Sequence, residues 1–77
     1  MNERVALTIE CIKKVMQLNG RKETALTPTT DILVDTSLDS LDLAQVVILL
    51  EEKTEKTPFA KGFIQFRTIQ ELAKLYE

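Results

Sequence analysis

The clearest periodic pattern lies near the start of the chain, where apolar residues recur every three or four positions and polar residues fill the gaps. This stripe consists of Val5, Ile9, Ile12 and Met16. Asn2 is a suitable N-terminal cap, and Gly20 can adopt the left-handed conformation that often follows a helix. The pattern therefore predicts an amphipathic helix from about residue 3 to residue 19.

The periodicity disappears between residues 21 and 39, where Pro28 lies within a turn-forming segment. Loops of this length are uncommon in compact domains unless they are functional or anchored. We expect an anchored connector, held to the core by apolar side chains. The anchoring residues would be Leu26, Ile32, Leu33 and Val34.

The most apolar stretch of the chain predicts a second helix from about Ser40 to Thr54. Asp39 is expected to cap it, and Asp42 near the third helical position would complete a capping box with a shorter acid than usual. At 100° per residue the helix has two distinct sides. The expected core side holds Leu43, Val46, Val47 and Leu50. The opposite side holds Ser40, Leu41, Ala44, Ile48, Glu51, Glu52 and Glu55.

A third segment follows Pro58 and contains all three phenylalanines within residues 59–66. A short or irregular helix fits this segment best. Phe59 and Phe63 are spaced i, i+4, and we interpret them as core residues of a small domain in preference to a binding site. Gly62 lies inside the segment.

The last apolar stripe begins after Thr68 and reaches Tyr76. Thr68 and Glu71 match a reciprocal capping box, so a final helix is expected to start here and to run to the chain end. No repeat or strand-like alternation is present. The predicted fold class is therefore all-α, a small bundle of three principal helices plus one short helix.

Composition narrows the classes of function. The 77 residues make one domain, 1–77, and include one cysteine, no histidine and no tryptophan. This argues against a disulfide framework and a metal site, and it removes the usual general base of an enzyme. Cys11 is interpreted as a buried structural residue. The longest apolar run, 46–50, is too short to span a bilayer, and the N-terminus does not match a secretory signal, so we expect a cytoplasmic protein.

Charge is distributed unevenly along the chain. Residues 31–52 carry six acidic and no basic side chains, whereas the rest of the chain carries ten basic and six acidic ones. Nucleic acid is not expected as a partner because phosphate binding needs a clustered basic face. The acidic block favours a basic protein partner instead.

The run Asp39-Ser40-Leu41-Asp42 resembles the attachment motif of the acyl and peptidyl carrier proteins. A serine at a helix start is also common without any such role, but the chain length, the long loop and the acidic, apolar helix face agree with the resemblance. It implies that a separate phosphopantetheinyl transferase attaches 4′-phosphopantetheine from coenzyme A to Ser40. The arm's thiol would then hold an acyl or aminoacyl group as a thioester. The resemblance implies a monomeric carrier with no catalytic residues.

The same resemblance implies a docking surface next to the serine. Partners would be loading and acceptor enzymes with basic surfaces, attracted by acids and held by apolar contacts. The implied partner-binding residues are Asp39, Leu41, Asp42, Ala44, Ile48, Glu51 and Glu52. The alternative for Ile48 is ordinary core packing.

Some positions depart from the pattern of fatty-acid carriers. Gln45 stands where those carriers often have an acid, Lys53 interrupts the acidic run, and residues 35–38 lack the glycine often found before the motif. These departures favour a specialised standalone carrier of polyketide, nonribosomal-peptide or aminoacyl-transfer pathways over one of fatty acid biosynthesis. The alternative is a small helical interaction module without a prosthetic group, which the intact mass of the protein would distinguish.

Overall fold

The computed structural model describes residues 2–77 and contains three helices. Helix α1 spans Glu3–Leu18, α2 spans Ser40–Thr54 and α3 spans Ile69–Leu75. Helix α1 packs against both of the others. The all-α bundle with three principal helices is confirmed. Among the described residues, no helix is long and apolar enough to cross a membrane.

Both ends of α1 form as the sequence predicts. The side chain of Asn2 accepts a hydrogen bond from the backbone N–H of Val5 at 2.7 Å. At the other end Gly20 takes the left-handed conformation with φ +66°, and the N–H of Arg21 donates to the carbonyl of Met16 at 2.8 Å. This pairing closes a helix end around a left-handed residue and fixes the direction in which the chain leaves α1.

The core lies where α1 faces α2 and α3. Its largest fully buried side chains come from all three helices, from the loop between α1 and α2 and from the residue that follows α3. They include Ile12, Met16, Ile32, Leu50, Ile69, Leu72 and Tyr76. Cys11 is buried as well, as predicted, and burial raises the pKa of its thiol.

The loop after α1 is anchored at the start of α3. The N–H of Ile32 donates to the carbonyl of Arg67 at 2.7 Å, and the N–H of Ile69 donates to the carbonyl of Thr30 at 3.1 Å. Ile32 is fully buried, as expected of an anchor. Leu33 and Val34 were expected to be anchors too, but both are exposed.

The reason for this exposure is a local turn around Asp31. One oxygen of its carboxylate accepts the backbone N–H groups of both Leu33 and Val34 at 3.0 Å. This side chain holds the backbone in a turn of its own, and the turn places the two apolar side chains on the surface.

The expected short helix in the phenylalanine segment is not formed. Residues 58–61 make successive turns, with N–H to carbonyl bonds from Ala60 to Thr57 and from Gly62 to Phe59, both at 3.1 Å. Gly62 has φ +134°, a backbone conformation incompatible with a helix. Because nucleating a helix costs several fixed torsions for each bond gained, two turn bonds before such a residue do not propagate.

The start of α3 confirms the predicted capping box. The hydroxyl of Thr68 accepts the N–H of Glu71 at 3.2 Å, and the Glu71 carboxylate accepts the N–H of Thr68 at 2.9 Å. The same carboxylate also accepts the N–H of Arg67 at 2.8 Å. These backbone bonds lower the pKa of Glu71. The helix ends at Leu75, close to the end of the chain.

Candidate functional site

Ser40 is the first residue of α2 and is exposed. The cap of this helix is formed by its neighbours and does not use the Ser40 hydroxyl. Asp39 accepts the N–H of Asp42 at 2.9 Å, and Asp42 accepts the N–H of Asp39 at 3.0 Å. The predicted capping box is therefore present, with the shorter acid in place of glutamate. Its effect is to hold the backbone on both sides of Ser40 while leaving the serine accessible.

Two residues at the end of α1 bind this capping box from outside. Arg21 donates from Nε to Asp42 at 2.7 Å and from a terminal nitrogen to Asp39 at 2.9 Å. Asn19 donates to the other oxygen of Asp42 at 2.6 Å and to the side-chain oxygen of Gln45 at 2.5 Å. We call these bonds from Asn19 and Arg21 to Asp39 and Asp42 the α1 clamp.

Sequence reasoning missed the α1 clamp. The available signal was a glycine helix stop with a polar residue on each side, in a chain where two acids flank the start of the next helix. Nothing in that pattern specifies contacts between residues 18 or 21 positions apart.

Asp42 is placed differently from the expectation that it binds partners. Its side chain is only 2% exposed, and both of its oxygens accept hydrogen bonds inside the domain. The N–H of Asp39 and the side chains of Arg21 and Asn19 lower the pKa of this carboxyl. A side chain that is buried and fully bonded presents little to a partner, so Asp42 belongs to the scaffold of the site.

The remaining predicted partner-binding residues lie on the surface or at its edge. Leu41 is 76% exposed and Ile48 55%, whereas the other side of the helix contributes to the core. Ala44, Glu52 and Asp39 are also exposed, and Glu51 is half-buried. The predicted phase of α2 is thus correct for its outer side.

The core side of α2 is narrower than predicted. Val46 and Leu50 are fully buried, whereas Leu43 and Val47 are half-buried and line a groove beside the phenylalanine segment. The groove has a volume of about 600 Å³. Its lining is Leu33, Ser40, Leu43, Ala44, Val47, Ile48, Glu51, Phe59, Phe63 and Phe66.

The phenylalanines divide between core and surface. Phe59 packs against the core, but Phe63 was expected to be a core residue and is 76% exposed. The two rings stack with centroids 5.9 Å apart, and Phe66 lies 6.1 Å from each. Since the segment is not helical, residues spaced i, i+4 do not share one face, and Phe63 does not join Phe59 at the core.

Comparison with known proteins gave one match, to a protein family. A family model described as a phosphopantetheine attachment site matches residues 8–76. The chain belongs to this family, the acyl and peptidyl carrier proteins. Its members carry covalently attached 4′-phosphopantetheine. Neither the comparison with curated proteins nor that with solved structures gave a match.

The residues around Ser40 fit such a group. A phosphodiester on the hydroxyl would lie at the positive end of the α2 dipole, which favours an anion. The two flanking acids would repel it, but both are paired with Arg21. When attached, the group supplies a terminal thiol for thioester formation. Ser40 is exposed, so its hydroxyl would be open to an approaching transferase.

Proposed function

We propose that this chain is a carrier that holds acyl or aminoacyl intermediates on a 4′-phosphopantetheine arm attached to Ser40, and that it delivers them to partner enzymes. The observation that carries the proposal is the exposed serine at the first position of α2, in a chain of the phosphopantetheine-attachment family. The chain itself would not be a catalyst. It would present the Ser40 hydroxyl to a transferase and a docking surface to partner enzymes.

In the attachment reaction, the only reacting group of this chain would be the Ser40 hydroxyl. The Ser40 oxygen forms a bond to the phosphorus of coenzyme A that bears pantetheine. The bond from that phosphorus to the adenosine bisphosphate leaving group breaks, and the hydroxyl proton passes to a base of the transferase. The capping box holds the serine backbone during this step, and a tethered cargo then has a high effective concentration near a docked partner.

The test is incubation with coenzyme A and a broad-specificity phosphopantetheinyl transferase, followed by intact-mass and peptide mass spectrometry. We expect the mass of one arm to be added, on Ser40. Ser40→Ala should accept none, and Ser37→Ala, which changes the chain's other serine, should be modified like the wild type. An unmodified wild type with several such transferases would favour an interaction module without a prosthetic group.

We further propose that the outer side of α2 is the docking surface, formed by Asp39, Leu41, Ala44, Ile48, Glu51 and Glu52. Leu41 and Ile48 offer apolar contact, while Glu51 and Glu52 attract a basic partner. Asp42 is left out because it is buried.

Charge reversal tests the acidic part of this surface. Glu51→Lys with Glu52→Lys should slow association with a partner enzyme, and the defect should shrink as salt rises, because the Debye length is only about 8 Å at physiological ionic strength. The matched control reverses Glu3 and Glu10, two exposed acids on α1. An equal defect in both pairs would assign the effect to net charge instead of to docking on α2.

The pathway proposal is a specialised standalone carrier of the cytoplasm that serves polyketide, nonribosomal-peptide or aminoacyl-transfer enzymes. Gln45 and Lys53 support it, since Gln45 stands where fatty-acid carriers often have an acid and Lys53 interrupts the acidic run. Gln45→Glu with Lys53→Glu restores the acids common in fatty-acid carriers. This double variant should be used better by fatty-acid synthase enzymes and no better by the native partner, as measured by thioester transfer rates. If the double variant is used no better than the wild type by the fatty-acid synthase enzymes or by the native partner, Gln45 and Lys53 no longer support the proposed pathway.

A further inference from the structure

The α1 clamp connects the end of one helix to both acids that flank the serine at the start of another. Arg21 reaches Asp39 and Asp42 with two different nitrogens, and Asn19 reaches Asp42 beside it. Each of these carboxylates also accepts a backbone N–H in the capping box. All four carboxylate oxygens around Ser40 therefore have a partner inside the domain.

The end of α1 fixes the backbone position of Arg21. Gly20 is left-handed, and the N–H of Arg21 donates to the carbonyl of Met16 at 2.8 Å. The guanidinium thus projects from a defined helix end. A planar fork that binds two acceptors constrains their separation and orientation, which a point charge does not.

We propose that Arg21 is a positioning residue for phosphopantetheine attachment: by binding Asp39 and Asp42 together it holds the Ser40 hydroxyl in the geometry that the transferase requires. This inference rests on the proposed function of Ser40. We expect its main effect on the reaction step and not on the affinity for the transferase, because Asp42 is buried and Asp39 is only one of six residues in the proposed docking surface. Misplacing a reacting atom by about 1 Å can slow a reaction by up to about a hundredfold.

The chain offers a matched control for Arg21. Arg67 also pairs with an aspartate, Asp31, at 2.6 Å, but this pair lies at the junction of the loop with α3. Arg67→Ala changes the net charge as much as Arg21→Ala does and leaves the α1 clamp intact. Val5→Ala is the stability control, since it truncates a buried residue near the opposite end of α1.

The experiment measures steady-state attachment for each variant with coenzyme A and one transferase, with unfolding midpoints recorded in parallel. Arg21→Ala should lower kcat roughly tenfold and change KM by less than about twofold. Arg21→Lys keeps the charge without the fork, so it should recover only part of the loss. Arg67→Ala and Val5→Ala should keep the kcat of the wild type. If Arg21→Ala does not fold, Arg21→Gln carries the same expectation of a lowered kcat.

A second measurement is independent of the transferase. Amide hydrogen exchange of the unmodified protein should become faster in residues 40–43 in Arg21→Ala and should stay unchanged there in Arg67→Ala. Slower attachment without faster exchange in this segment would overturn the positioning role.

Other results would also overturn the inference. They are a wild-type kcat in Arg21→Ala, full recovery by Arg21→Lys, a higher KM with unchanged kcat, or an equal loss in either control variant. If the wild type itself accepts no arm, the proposed function fails and this inference fails with it. A modified wild type with an equally modified Arg21→Ala rejects the inference alone.

Discussion

Two residues of α2 allow the contribution of this helix to stability to be measured separately from its proposed contribution to docking. Val46 is fully buried and Ile48 is 55% exposed, although both are β-branched residues of the same apolar run. Val46→Ala removes two buried carbons, worth about 0.8 kcal/mol each in transfer free energy. The cavity that remains adds to this loss and the better helix propensity of alanine returns a few tenths of a kcal/mol, so we expect the free energy of unfolding to fall by about 2 kcal/mol.

Ile48→Ala removes three carbons, worth about 2.4 kcal/mol in total if they were fully buried. Since about half of the Ile48 surface is in water, the loss is about 1 kcal/mol. Alanine is a better helix former than isoleucine, which returns a few tenths of a kcal/mol. The net cost should therefore be about half a kcal/mol.

Urea denaturation followed by helical circular dichroism measures both changes. The same variants, loaded with a thioester, are then tested for the rate of transfer to or from a partner enzyme at a temperature where each is folded. We expect Ile48→Ala to transfer slowly and Val46→Ala to transfer normally. Leu18→Ala, which removes an exposed apolar side chain of α1, should leave the rate unchanged.

The reasoning is refuted if Ile48→Ala destabilises the domain as much as Val46→Ala does. In that case Ile48 packs in the core, and the docking surface must be reassigned. Equal loss of transfer in Leu18→Ala and Ile48→Ala would show that any exposed apolar residue contributes, and it would remove the special role of α2.

Three further predictions concern stability. Thr68→Ala should lower the free energy of unfolding by about 1 kcal/mol through loss of the α3 cap, and an unchanged urea midpoint would contradict it. Asp42 has a lowered pKa, so the wild type should lose stability as pH falls below about 4, and Asp42→Asn should be less stable at neutral pH but less acid-sensitive. Burial raises the pKa of Tyr76 to about 12, and within residues 2–77 its buried hydroxyl has no hydrogen-bond partner. Tyr76→Phe should therefore stabilise the domain by about 1 kcal/mol and weaken the loss of stability between about pH 10 and 12; a lower midpoint in Tyr76→Phe would show that the hydroxyl is bonded.

The helix starts were predictable because caps are local. Asn2, Asp39 and Thr68 each accept an N–H from a residue three positions later, so the signal lies within one turn of the chain. The phenylalanine segment was not predictable in this way. Its spacing suits a helix, but Gly62 takes a positive φ of +134°, and a glycine in the sequence does not by itself specify the sign of its φ.

The candidate site was likewise predictable only where its contacts are local in sequence. Ser40 and its capping box were predicted from four consecutive residues, and the exposure of Leu41 and Ile48 follows from the phase of α2. The burial of Asp42 was not, because it depends on how α1 crosses the start of α2. From the sequence alone, a carboxylate in an acidic block is expected to be a surface charge. In the fold, Arg21 comes from outside that block and pairs with Asp42.

Pairing with Arg21 changes the charge pattern along α2. At the start of the helix, Arg21 forms ion pairs with both acids that flank Ser40. Its single positive charge offsets one of their two negative charges. Near its end, Glu51 and Glu52 have no cation within 4 Å among residues 2–77. In the proposed docking surface, Glu51 and Glu52 would therefore attract a basic partner mainly to the end of α2 that is distant from Ser40. The serine end, where Leu41 is exposed, offers apolar contact and less charge. Steering and attachment would then use different ends of one helix, so the acids can attract a partner without crowding an anionic phosphodiester on Ser40.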